Sequence, residues 1–173
     1  MTYKRFLFIV SGVFCCLLFC SCGYHMGSMM HPQVKTIAIA DIRNDSKEPL
    51  LTPVMRAQLA EQFQFDGSLE LTDKESADCV LYCRISKVDS RSVRDASSDG
   101  QLTYRPAEFR ATIVCNFTVI IPGRSEALIP MREVSGSGDY QYETDSQLGR
   151  LAGLKIAAFN ASRLIVQYTT EAW

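Results

Sequence analysis

Apolar and polar positions change period several times along this chain, and each change marks an element. Residues 34–42, VKTIAIADI, are β-branched and apolar on both faces, which predicts a central strand. The polar stretch 43–49 interrupts it. Thr52 followed by Pro53 predicts a helix start, with an N-cap and a proline at the first helical position. Met55, Leu59 and Phe63 recur every four residues, flanked by Val54 and Ala60, so one buried stripe is expected on a helix ending near Asp66-Gly67.

Leu69 to Leu71 reads as a short strand start and Ala77 to Ser90 as a longer strand, with Cys79, Leu81, Cys83 and Ile85 on one face. Turn-forming residues fill 95–101. From Tyr104 to Ile121 the alternation is clean: Phe109, Ala111, Ile113, Cys115, Phe117 and Val119 face one way, Arg110, Thr112, Asn116 and Thr118 the other. Met131 to Tyr142 forms a further strand whose Gly136 and Gly138 imply a bulge or a close backbone neighbour. Asp145 or Ser146 can cap a last helix from Gln147 to about Tyr168, with Leu151, Leu154, Ala158, Ala161, Ile165 and Tyr168 on its core face. The order β-α-β-β-β-α predicts a two-layer α+β sandwich: a mixed sheet of about four strands with two helices on one face. The first crossover should be right-handed and parallel, the later hairpins antiparallel.

The N-terminus follows a different pattern. Lys4 and Arg5 precede the apolar run Phe6–Phe19, and Ser21-Cys22-Gly23 closes it. A membrane span needs about 20 apolar residues, so this shorter run reads as a secretory signal. A small residue before Cys-Gly is the bacterial lipoprotein pattern, with Phe19 where leucine is usual, and it makes Cys22 the lipidation site. The chain therefore divides into a lipoprotein signal peptide at 1–21, a lipidated tether at 22–33 and one α+β domain at 34–173.

Composition removes several function classes. With 18 Lys plus Arg against 19 Asp plus Glu the chain is near neutral, and an exported protein does not meet nucleic acid. The two histidines, His25 and His31, both fall in the tether. The domain thus lacks the usual base near neutral pH, and it carries no nucleophile elbow, phosphate-binding glycine loop or HExxH motif. No enzyme activity, cofactor or metal is expected. Cys79, Cys83 and Cys115 lie in the domain. A hairpin centred near residue 97 would set Cys115 opposite Cys79, which leaves a cross-strand disulfide open beside the reading of three small buried thiols.

Basic residues offer the one concentration of chemistry. Arg84, Lys87, Arg91, Arg94, Arg105 and Arg110 all fall on the two arms flanking 95–101. Folding gathers them, and arginine grips phosphate through bidentate bonds, so an anionic glycolipid is one fitting ligand. A solvated hairpin of mixed charge is the other reading, since Asp89, Asp95, Asp99 and Glu108 share the arms.

Two short motifs carry a resemblance. Cys22-Gly23-Tyr24-His25 and the strand-turn NFTVIIPGR, Asn116 to Arg124, together with the element order, resemble the lipopolysaccharide-assembly lipoprotein family LptE. The resemblance implies an outer-membrane lipoprotein on the periplasmic side, seated as a plug in a β-barrel translocon and assisting lipopolysaccharide transport to the cell surface. Its implied partners are the barrel protein, lipopolysaccharide and the membrane that holds the N-terminal lipid. It also implies lipid binding by basic residues in the turn between the second and third strands. That turn's tip here is Ser98-Asp99-Gly100, so Arg91, Arg94 and Arg105 are the nearest candidates. The alternative is a periplasmic adaptor lipoprotein that activates a peptidoglycan synthase or forms part of a secretion pore. Such activators need long linkers, whereas about 11 tether residues here reach at most roughly 40 Å.

Overall fold

The computed structural model describes residues 33–98, 101–141 and 146–171, with 94–98, 101–107 and 146–147 described by backbone alone. Cys22, the signal, tether residues 22–32 with both histidines, the Asp99-Gly100 tip and the proposed Asp145 cap lie outside the described residues. Among the described residues six strands and two helices follow in the order β1 (Thr36–Ile39), β2 (Arg43–Asn44), α1 (Leu51–Asp66), β3 (Glu70–Leu71), β4 (Cys79–Ser98), β5 (Gln101–Ile120), β6 (Ala127–Gln141) and α2 (Ser146–Thr170). The two-layer α+β sandwich is as expected, but the sheet has six strands rather than about four. The strand predicted at 34–42 is β1, the short β2 falls in the stretch 43–49 read as a polar interruption, and β3 pairs with β1.

Strand order is β3-β1-β4-β5-β6, with β2 also on β4. Pairing of β1 with β3 and β4 is parallel, and β4-β5-β6 is an antiparallel meander. Helix α2 packs on β5 and β6, while α1 lies beside α2 and over the short strands. The core fills the space between the layers: Met55, Leu59 and Phe63 from α1, Ala157, Ala161 and Ile165 from α2, and Ile37, Leu81, Ile113 and Phe117 from the sheet are fully buried. Gly67 ends α1 in the left-handed region at φ 68°, its N–H donating to the Phe63 carbonyl, which is why glycine stands there.

Helix α1 begins at Leu51, one residue ahead of the predicted Thr52 cap. Leu50 occupies the N-cap position and contributes no side-chain cap. The preceding loop does the work: the Asn44 side chain donates to the Glu48 carbonyl at 2.8 Å and accepts from Ser46 N–H at 2.9 Å. The same Glu48 carbonyl accepts from Leu51 N–H at 3.1 Å, so the turn, not a capping side chain, starts the helix.

The hairpin pivots further along than predicted. Ser98 pairs with Gln101, and Cys115 lies opposite Ile85 rather than Cys79. Cys79, Cys83 and Cys115 are all free and buried. Gly136 and Gly138 do mark a close neighbour: α2 backbone lies directly against both. Strand β6 is one edge of the sheet. Pro130 sits within it, and the Asn160 side chain donates to its Ser137 carbonyl at 2.8 Å.

Candidate functional site

Strand alternation puts the apolar side chains of β5 under the helices and leaves Arg110, Thr112, Asn116 and Thr118 on the open sheet face. Register then builds a charged row across three strands. Arg91 of β4 lies opposite Arg110 of β5, which lies opposite Asp139 of β6. Arg110 grips Asp139 with two bonds, at 2.6 and 2.8 Å, and Arg91 Nε–H donates to Asp89 at 2.7 Å. The next row is neutral, with the Thr112 and Ser137 hydroxyls 3.1 Å apart. Nearer the base, Arg84 and Arg43 both hold Asp45.

These pairings change the electrostatics expected from sequence. The guanidinium of Arg91 holds the Asp89 carboxyl below the usual carboxylate range, Arg110 does so for Asp139, and Arg84 for Asp45. Arg84, Arg91 and Arg110 are thus each matched by a carboxylate, and this part of the face is mixed rather than basic. Lys87 is exposed on the same face. Further out, Arg94 lies opposite Glu108 and Arg105 opposite Ala96, so Arg91 and Arg94 stand on β4 and Arg105 on the facing arm, β5.

The open face carries a second feature that composition did not reveal. Tyr82, Asn116, Thr118 and Met131 line a shallow cavity of about 220 Å³ beside Arg84. Met131 is 73% exposed, and Lys74 sits 5.7 Å from the Tyr82 ring centroid. The Asn116 Oδ1 atom is buried there without a hydrogen-bond partner. Only register shows that Tyr82, Thr118 and Met131 converge, since they come from three strands.

The described residues offer little reactive chemistry. Burial, with the Asp78 charge, pushes the Cys79 thiol up to about 12. The Cys83 thiol and burial push Cys115 up as well. Both stay protonated and unreactive. Among the described residues no group of three or more His, Cys, Asp or Glu side chains could hold a metal, and no helix is long and apolar enough to cross a membrane.

Comparison with known proteins places this geometry. Among curated protein sequences none matches the chain. Solved structures share the fold at low identity. A protein from Xanthomonas campestris superposes with a TM-score of 0.57 at 12% identity, covering 84% of this chain and 90% of its own. A hypothetical protein from Chlamydia trachomatis gives 0.54 at 9% identity, covering 79% and 96%. A minor lipoprotein from Acinetobacter baumannii gives 0.51 at 14%, covering 79% and 93%. The sequence model of the lipopolysaccharide-assembly family matches residues 34–169, from the approach to β1 to the last turn of α2. The chain belongs to the LptE lipopolysaccharide-assembly family.

Proposed function

We propose that this protein is a non-enzymatic outer-membrane lipoprotein, anchored through an acylated Cys22, that seats in a β-barrel translocon as a plug and assists lipopolysaccharide transport to the cell surface. The family match over residues 34–169 carries the reading. The mixed-charge open face supports it, because hydrogen-bonding rows of Arg, Asp, Thr and Ser suit the polar wall of a barrel interior. A short tether keeps the domain beside its own membrane.

Affinity purification from outer membranes, followed by mass spectrometry, tests the partnership. A β-barrel assembly protein is expected in stoichiometric yield; peptidoglycan enzymes without a barrel would overturn the reading. Lipid recognition is assigned to the two arms of the β4–β5 ribbon near its turn. Changing Arg91, Arg94 and Arg105 together to Glu is expected to weaken binding of purified lipopolysaccharide by about tenfold or more, because charge-assisted phosphate contacts become repulsive. Unchanged binding would remove these residues from the site.

A further inference from the structure

On the helical side, away from the open face, residues at the N-terminal turns of α1 and α2, with Phe109 of β5 and Tyr140 of β6, line a cavity of about 530 Å³. That volume falls within the range of small-molecule sites. Leu51, Val54, Leu151 and Leu154 form its walls, and the stacked rings of Phe109 and Tyr140, 5.6 Å apart, also line it. At the rim stand Leu50 and Leu148, each 65% exposed, and the Arg150–Glu48 ion pair. Leu50 is also the N-cap residue of α1, where Ser, Thr, Asn or Asp would stabilise the helix by about 1 kcal/mol. The chain thus places exposed leucine where local stability asks for a polar cap.

We infer that this cavity binds one fatty-acyl chain of an anionic amphiphile, with the acidic head group at Arg150. Among the described residues of the lining, Glu48, Arg150 and Tyr140 carry polar side-chain groups. A peptide segment would bring amides that each need a partner, and the leucine walls provide none. A hydrocarbon chain needs none and replaces water against apolar surface. The head is assigned by charge. Arg150 uses Nη2 for Glu48, which leaves its other N–H groups for an acidic oxygen. The positive end of α1 has no acidic residue in its first turn, which adds to the attraction. This deepens the function proposed above and rests on it only for the identity of the lipid.

The test uses the full-length protein in lipid nanodiscs and dodecyl phosphate bearing a photoreactive diazirine at its chain end. Cross-links mapped by mass spectrometry are expected on the cavity walls, at residues 51–54 and 151–154. Excess dodecyl phosphate should suppress them, and a probe two methylenes shorter should bind about tenfold more weakly. Leu151→Trp and, independently, Val54→Phe should fill the cavity and abolish capture in protein whose melting curve shows it folded. Arg150→Gln should weaken capture of the phosphate probe but not of an uncharged dodecyl ether. Cross-links elsewhere, or capture unchanged by both filling variants, would overturn the site. So would a concentration-dependent dimer that buries Leu50 and Leu148, since the occupant would then be a second copy. Purified lipopolysaccharide is expected to displace the probe. Displacement by phosphatidylglycerol alone would overturn the link to lipopolysaccharide. Loss of the barrel partner in affinity purification, with capture intact, would defeat the translocon reading and not this one.

Discussion

Replacing Phe117 with alanine is expected to cost about 3–5 kcal/mol of stability, the usual cost of deleting a fully buried aromatic side chain. Phe117 is 1% exposed and stacks on Tyr168 of α2 with ring centroids 6.5 Å apart, so it ties the central antiparallel strand to the last helix. Its loss removes apolar burial and leaves a cavity between two rigid layers. Urea unfolding should show a lowered midpoint with the slope preserved. A loss below about 1 kcal/mol would mean that Phe117 is not packed as described.

Gly136→Ala should be nearly as damaging although it adds a single methyl. A Cβ at 136 would meet the Ala157 carbonyl oxygen and the Ala161 amide nitrogen, and would lie 2.9 Å from the Ala161 Cβ. Two of these are backbone atoms of α2 and cannot rotate away, so the helix itself must lift from β6. Overpacking of this kind costs about 3 kcal/mol. The signature is a lowered melting temperature together with faster amide exchange in α2. Unchanged exchange in α2 would show that the helix does not rest on the strand at this point. Gly138 faces the same helix, with the Ile156 Cβ 2.7 Å from where its own would stand.

Much of this was legible in the sequence, because it depends on short-range periodicity. The four-residue recurrence of Met55, Leu59 and Phe63 predicts the buried stripe of α1, and all three are fully buried. The alternation from Phe109 to Val119 predicts which face of β5 meets the helices, and Gly136 with Gly138 predicts a bulge or a close backbone neighbour, which proves to be α2. What escaped depends on long-range placement. The pivot of the β4–β5 hairpin, and hence the partner of Cys115, follows from a register that bulges between Ile85 and Lys87 shift, and composition does not report it. The start of α1 depends on the Asn44–Glu48 turn instead of the visible Thr52-Pro53 signal.

The candidate site divides in the same way. Arg91, Arg94 and Arg105 were placed on the two arms flanking 95–101 by the turn-forming residues between them. That Arg91 faces Arg110, and that Asp139 neutralises Arg110, required the pairing of three strands. The helical cavity was invisible because its rim joins Glu48 to Arg150, 102 residues apart.

The outer border of β6 has a bearing on how the molecule survives among its own copies. A long unpaired strand is a template onto which another chain can add, and so a seed for fibres. Pro130 has no N–H to offer an incoming strand, and Asn160 already occupies the carbonyl of Ser137. With donor and acceptor withdrawn at two points, self-association along that border is interrupted while the apolar interior stays intact.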